Sequence, residues 1–284
     1  MSMLIGEFTA WHRQKGHSKN TARAYEQDLT QLHTFLGKPV EEATEGDLWR
    51  YMTWLTDEVK AAPASRSRKV HTLRSFYKFV SHVKHIRQDN PAQELDVPKL
   101  TAGMPKYLNL DEMEKIKQSV VNDPFENAVT AVMYATGVRV SELVGMNRQD
   151  IDWKGHRVRI TGKGDKVREI PISPTALDAL KVILEGRTDD NPAVFYRMRK
   201  RVCVKTIQRI TARAASNANI SRISVSPHKF RHTWATQLRQ TGVPLDAIGK
   251  WAGHSNLNTT SSIYAKILTS TEDKMYADNI PQGM

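Results

Sequence analysis

Apolar residues recur along the first hundred positions at spacings of three and four, the period of one face of an α-helix. Leu4, Phe8 and Trp11 form a first stripe, and Tyr25, Leu29, Leu32 and Leu36 form a second, bracketed by Ser18 as N-cap and Gly37 as stop signal. Leu48, Tyr51, Met52, Leu55 and Val59 form a third behind Thr44, and Val70, Leu73, Tyr77 and Val80 a fourth. The pattern predicts a small four-helix unit. Pro91, Pro98, Gly103 and Pro105 then interrupt the period. The chain is therefore expected to divide into a helical domain over 1–98, a linker over 99–106 and a second domain over 107–284.

The second domain opens at Asn109, with Glu112 three residues later in the spacing of a capping box, and a helical region is expected to continue through the apolar Ala128–Ala135 stretch. A further N-cap is expected at Ser141. The period then changes. Arg157–Gly162 and Lys166–Pro171 alternate polar and apolar positions around Lys163-Gly-Asp, which predicts a β-hairpin, and Val194–Tyr196 is the candidate third strand. Helical spacing returns over Thr206–Ala215, Lys229–Gln240, Leu245–Ala252 and Thr271–Asp278. The predicted class is mainly α with a small antiparallel β-sheet.

Charge narrows the partner. Forty-two Lys and Arg against thirty Asp and Glu leave a formal net charge of +12, which favours a polyanion, with nucleic acid foremost. Arg66, Arg68, Lys69, Arg74 and Lys78 gather on one predicted helix; Arg197, Arg199, Lys200, Arg201, Lys205, Arg209 and Arg213 gather in the second domain. Both groups are candidate DNA-backbone contacts. The hydrophobic share of 39% is that of an ordinary globular chain and argues against long disorder. The one cysteine, Cys203, excludes an intramolecular disulfide framework and a cysteine-based zinc site. No basic-then-apolar leader opens the sequence, and the most apolar window, Ala128–Val138, is too short to span a bilayer. A cytoplasmic protein with no membrane association is expected.

Several polar residues stand where solvation alone explains them poorly. Arg139 lies in Ala-Thr-Gly-Val-Arg-Val-Ser-Glu-Leu, at the exit of an apolar helix. Arg231 lies in Pro-His-Lys-Phe-Arg-His-Thr, three residues after His228 and so near it on a helix face. His254 lies in Trp-Ala-Gly-His-Ser, and Tyr264 follows ten positions later. Taken singly, a salt-bridging arginine, a turn histidine and a packed tyrosine account for each. As a set, Thr136-Gly-Val-Arg139-Val-Ser-Glu-Leu, Gly162-Lys163-Gly, His228-Lys-Phe-Arg231-His-Thr, Gly253-His254-Ser and Tyr264 resemble the tyrosine recombinase (phage integrase) family, its Xer-like members most, over nearly the whole chain.

The resemblance implies a helical, SAM-like core-binding domain and a catalytic domain that together form a C-shaped clamp on DNA. It implies that Arg139, Lys163, His228, Arg231 and His254 activate the scissile phosphate and that Tyr264 is the nucleophile. In those roles Lys163 protonates the departing 5′ oxygen, His228 takes the tyrosine proton and His254 adds a phosphate hydrogen bond. A 3′-phosphotyrosyl ester keeps the energy of the broken bond, so neither ATP nor a metal or other cofactor is expected. The implied partners are double-stranded recombination sites, a homotetramer passing through a Holliday junction, and accessory DNA sites or proteins, with Ala265–Met284 docking on a neighbouring protomer. Nine residues separate His254 from Tyr264, one more than the family's usual gap. The chain opens directly on the core-binding domain, which points to Xer-like resolution of cointegrates or dimers over integration or excision.

Three other classes share parts of this pattern. His228 and His232 share the i,i+4 spacing of a metal-dependent nuclease, yet two cations lie between them and the glutamate of His-Glu-x-x-His is absent. A DNA-binding regulator does not need Arg139, Lys163, Arg231 and Tyr264 together. A type IB topoisomerase shares the chemistry but fits the separate amino-terminal domain less well.

Overall fold

The computed structural model describes residues 3–99, 107–162 and 164–253. The chain splits into two compact units, Met1–Gly103 and Met104–Met284. In the first, α1 (Met3–Gln14), α2 (Lys19–Leu36), α3 (Glu45–Asp57) and α4 (Pro63–His82) follow the four predicted stripes. Ser18 caps α2 by accepting the Thr21 N–H, and Gly37 ends it in the left-handed region. Thr44 caps α3 in a reciprocal box with Asp47. The third stripe is shorter than its spacing suggests: α3 stops at Asp57, and Val59 lies beyond it, exposed.

The inward faces of these helices form one core, in which Ile5, Phe8, Leu29, Leu32, Leu48, Tyr51, Leu55, Phe76 and Tyr77 are fully buried. The Tyr77 hydroxyl satisfies itself on the Val40 carbonyl at 2.7 Å. The proline-marked stretch is not free chain from Pro91 onward. Ala92 and Leu95 are buried in this core, and Arg74 donates to both their carbonyls, at 3.2 and 2.7 Å.

In the second unit the helical region expected from Asn109 consists of two helices, α5 (Leu110–Val120) and α6 (Pro124–Thr136). Asp123 separates them: its carboxylate accepts the N–H groups of Phe125 and Glu126, and Pro124 begins α6 with a residue that has no N–H to satisfy. The short α7 (Val140–Gly145) follows; its N-cap is Arg139, and Ser141 lies inside the helix. Strands β1 (Ile151–Asp152), β2 (Arg157–Thr161) and β3 (Val167–Pro171) form an antiparallel sheet in the order β1-β2-β3, with Ile160 opposite Arg168. Val158, Ile160 and Ile170 face the core, as the alternation requires.

The third strand of this sheet is thus Ile151–Asp152 and not Val194–Tyr196. Val194 and Phe195 are buried core residues, and Tyr196 begins β4 (Tyr196–Arg197), which pairs only with β5 (Lys200–Arg201). Between the sheets lies α8 (Pro174–Leu184), capped by Ser173 and not predicted from the pattern. Helices α9 (Val204–Asn217), α10 (Pro227–Gln240) and α11 (Leu245–Ala252) complete the described unit. The predicted Thr271–Asp278 helix lies outside the described residues. No helix among those described is long and apolar enough to cross a membrane.

Candidate active site

Two arginines are brought together by the ends of three helices. Helix α6 terminates at Gly137, whose φ of +59° suits a residue without a side chain; a Cβ there would stand 2.2 Å from the Trp234 ring of α10. This close crossing sets the exit of α6 against α10. Two residues on, Arg139 takes extended backbone at the start of α7, and its N–H is held by Glu142 Oε2 at 2.8 Å. Its guanidinium donates through Nη1 to Glu142 Oε1 at 2.8 Å and through Nη2 to the Gly253 carbonyl at 3.0 Å.

Arg231 lies on the inward face of α10, beside the fully buried Phe230, and is itself 6% exposed. Its Nη1 donates to the Gly137 carbonyl at 2.8 Å and its Nη2 to the Ala252 carbonyl at 2.7 Å. The two guanidiniums therefore converge on consecutive carbonyls at the C-terminus of α11. That end carries unsatisfied acceptors and the negative pole of the helix, so cations belong there. The Arg139 side chain remains 40% exposed. A fork of donors of this kind matches the non-bridging oxygens of a phosphate.

Glu142 organises the other side. Arg168 of β3 donates Nη1 to Glu142 Oε1 at 3.0 Å and Nη2 to Oε2 at 2.7 Å, and its Nε reaches the Trp251 carbonyl at 2.7 Å. Burial opposes ionisation of Glu142, but the bonds from Arg168 and from the Arg139 N–H outweigh it and hold the carboxyl below its usual range. His228, in the first turn of α10, lies with its Nε2 2.9 Å from that of His232. Desolvation, followed by the charges of Arg231, Lys229 and Arg139, pushes the His228 pKa down, so its ring favours the neutral form. Among the described residues no group of three or more His, Cys, Asp or Glu is arranged to hold a metal ion.

Of the six residues expected to carry the chemistry, Arg139, Arg231 and His228 fall within this region. Lys163, His254 and Tyr264 lie outside the described residues. Described chain leads to two of them: β2 and β3 flank Lys163, and Gly253 immediately precedes His254. Sequence reasoning missed Glu142 and Arg168. Glu142 stands inside the Arg139 motif and was open to notice, and Arg168 shares the inward face of β3 with Ile170, a charged residue where the alternation calls for an apolar one.

The basic clusters separate on inspection. On α4, Lys78 is exposed, Arg68 is exposed but bonded to Asp28 at 2.5 Å, and Arg66 donates to Thr56 at 2.6 Å. Lys69 is turned inward, 8% exposed and bonded to Asp28 at 2.8 Å, and Arg74 is occupied by the Ala92 and Leu95 carbonyls. In the second unit Arg199, Lys200, Lys205 and Arg209 are exposed, but Arg201 anchors the β4–β5 ribbon through the carbonyls of Val144 and Met146 and the Asn147 side chain. Arg197 and Arg213 pair with Asp123 and Glu126.

Comparison with known proteins gives this arrangement its context. Residues 106–270 match the phage integrase family, and residues 8–84 match the phage integrase N-terminal SAM-like domain. The chain belongs to the tyrosine recombinases of the phage integrase family. It is 34% identical to tyrosine recombinase XerC of Caldanaerobacter subterraneus subsp. tengcongensis, with 89% of this chain and 79% of the relative covered. It is 32% identical to tyrosine recombinase XerD of Proteus mirabilis, over 99% of this chain and 94% of that one. The fold matches the crystal structure of XerH site-specific recombinase bound to palindromic difH substrate, a post-cleavage complex, with a TM-score of 0.76 at 18% identity over 90% of this chain and 79% of the other. This Xer-like tyrosine recombinase is accordingly a site-specific recombinase that cleaves and rejoins DNA, built from a SAM-like helical unit and a catalytic unit.

Proposed function

We propose that this recombinase resolves cointegrates or dimers of a mobile element or replicon in the cytoplasm, and that Arg139, Lys163, His228, Arg231, His254 and Tyr264 carry its chemistry. The Tyr264 oxygen attacks the scissile phosphorus, forming the 3′-phosphotyrosyl bond as the bond to the 5′ oxygen breaks. His228 accepts the phenolic proton, and Lys163 donates one to the leaving 5′ oxygen. Arg139 and Arg231 bind the non-bridging oxygens where negative charge builds up, and His254 adds a further hydrogen bond. Reversal by a 5′ hydroxyl of the exchanged strand restores the phosphodiester, so no external energy source is consumed.

The observation that carries this reading is the convergence of the Arg139 and Arg231 guanidiniums on the Gly253 and Ala252 carbonyls, directly before His254. The lowered pKa of His228 supports a base that is neutral near pH 7. Exposed Arg68 and Lys78 on α4, and Arg199, Lys200, Lys205 and Arg209 around β4–β5 and α9, supply cations for the DNA backbone. In the full reaction the helical unit, residues 1–98, and the catalytic unit, residues 107–284, both bind the recombination site, joined by the linker 99–106. Four protomers join two sites through a Holliday junction, with Ala265–Met284 docked on the adjacent protomer.

Covalent capture tests the reading. The protein is incubated in EDTA with fragmented DNA of its native genetic element, stopped with SDS, and the retained DNA and modified peptide are identified. An adduct on Tyr264 at a discrete inverted repeat is the expected result. An adduct on another residue, or cutting that EDTA abolishes, overturns the assignment.

A further inference from the structure

Arg168 lies outside the six residues of the proposed chemistry, yet three parts of the site meet on its guanidinium. Nη1 and Nη2 form a two-pronged pair with Glu142, and Nε holds the Trp251 carbonyl. Both partners in the ion pair are withdrawn from solvent, with the Arg168 side chain 12% and the Glu142 side chain 4% exposed. The backbone is shaped around the contact. A Cβ on Gly253 would stand 2.9 Å from Arg168 Cζ and Nη1, and one on Gly162 3.3 Å from Nη1. Glycine at both positions lets the guanidinium sit between the turn of the hairpin and the end of α11.

The charge count gives this contact a purpose beyond packing. Glu142 alone would neutralise Arg139, leaving no net charge to meet a phosphate. With Arg168 on the same carboxylate, two cations share one anion, and the cluster keeps one positive charge while Glu142 keeps the Arg139 guanidinium and N–H in place. The same side chain joins β3, which leads back to Lys163, to the α11 terminus, which leads on to His254.

We propose that Arg168 is a positioning residue for the cleavage step, acting through Glu142 to hold Arg139 oriented and charged against the scissile phosphate and to fix the Lys163 hairpin against the chain before His254. The inference rests on the reading of Arg139 as a phosphate-binding residue. It predicts a defect in rate and not in affinity, because the guanidinium is withdrawn from the surface that would meet a polyanion.

The test uses the full-length chain and a nicked form of the DNA site recovered by covalent capture, so that cleavage is trapped in a single turnover. Arg168→Gln is expected to slow adduct formation by about tenfold or more while DNA binding changes less than about threefold. Arg168→Lys, which keeps the charge but not the fork, should fall between it and wild type. Introduced into a Glu142→Gln background, Arg168→Gln should cost less than about threefold further, since both act along one path. Wild-type cleavage by Arg168→Gln overturns the proposal. So does an equal loss in both backgrounds, or a loss in both Arg168 variants that follows DNA binding or thermal unfolding. A wild-type chain that forms no adduct on the site would count against the assignment of the active site itself.

Discussion

The two units contain the same device used in different ways. In the amino-terminal unit the buried Asp28 carboxylate takes Arg68 at 2.5 Å, Lys69 at 2.8 Å and the Thr72 hydroxyl at 2.9 Å. In the catalytic unit the buried Glu142 carboxylate takes Arg139 at 2.8 Å and Arg168 at 2.7 Å. Each is one anion between two cations. Around Asp28 the partners belong to α2 and α4 alone, and the cluster fastens two helices side by side. Around Glu142 the cations also reach backbone carbonyls at Trp251 and Gly253, so the cluster joins a helix start, a strand and a helix end. A buried ion pair is therefore no mark of a functional site. What separates the second cluster from the first is the meeting of chain ends, where exposed backbone groups hold a guanidinium and leave one of its faces open.

The largest expected effect falls on the nucleophile. Tyr264→Phe should abolish the covalent adduct while retaining specific DNA binding, read by capture and gel shift together; an adduct formed by this variant would remove Tyr264 from its role. Next comes the structural cluster. Asp28→Ala leaves the buried Lys69 ammonium without a counter-ion, bonded to the Gln31 amide oxygen, and is expected to cost about 3–5 kcal/mol in urea unfolding followed by a signal from the amino-terminal unit. A loss under about 1 kcal/mol would show that the Asp28 cluster contributes no more than a surface pair.

Gly137→Ala should be smaller but clear. It puts a side chain on left-handed backbone and against the Trp234 ring, so about 1–3 kcal/mol of stability should be lost, together with cleavage, because the Gly137 carbonyl holds Arg231. The smallest effect is on pH dependence. Burial, then Arg231, Lys229 and Arg139, lowers the His228 pKa beneath the ordinary 6.5, so the acid limb of the cleavage rate should lie below that value. Lys229→Met removes one opposing charge and should move the limb upward. A limb that stays in place would detach it from His228.

Much of the helical framework was legible because its signals are local. Ser18, Thr44 and Asn109 cap the helices that their spacing announces, and the apolar stripe of α2 runs between cap and stop. Elements were less legible where local signals compete. Asp123 followed by proline ends one helix and starts another inside a stretch whose apolar spacing continues, and α8 follows Pro171 so closely that Pro174 reads as loop rather than as a first helical residue. Direction was harder still. Arg68 and Lys69 are neighbours in sequence and both reach Asp28, but a helix turns about 100° per residue, so the Arg68 side chain stays 46% exposed while that of Lys69 is 10% exposed. The motifs made Arg139 and Arg231 visible as residues; their shared grip on Ala252 and Gly253 depends on contacts 21 and 114 positions apart, which no local pattern carries. Arg168 is a charge at an inward position of β3 and so carries a local signal, but its partner Glu142, 26 positions away, does not.

The division of labour between the units is tested most directly by one measurement: single-turnover cleavage and equilibrium binding of the captured site by Arg139→Ala, Arg231→Ala and Lys78→Ala, side by side. The account predicts that each of the first two slows cleavage by about 10²–10³ with little change in binding, whereas Lys78→Ala weakens binding and leaves the rate of bound complexes unchanged. Arg139→Ala and Arg231→Ala variants that lose affinity but cleave at the wild-type rate once bound would contradict it.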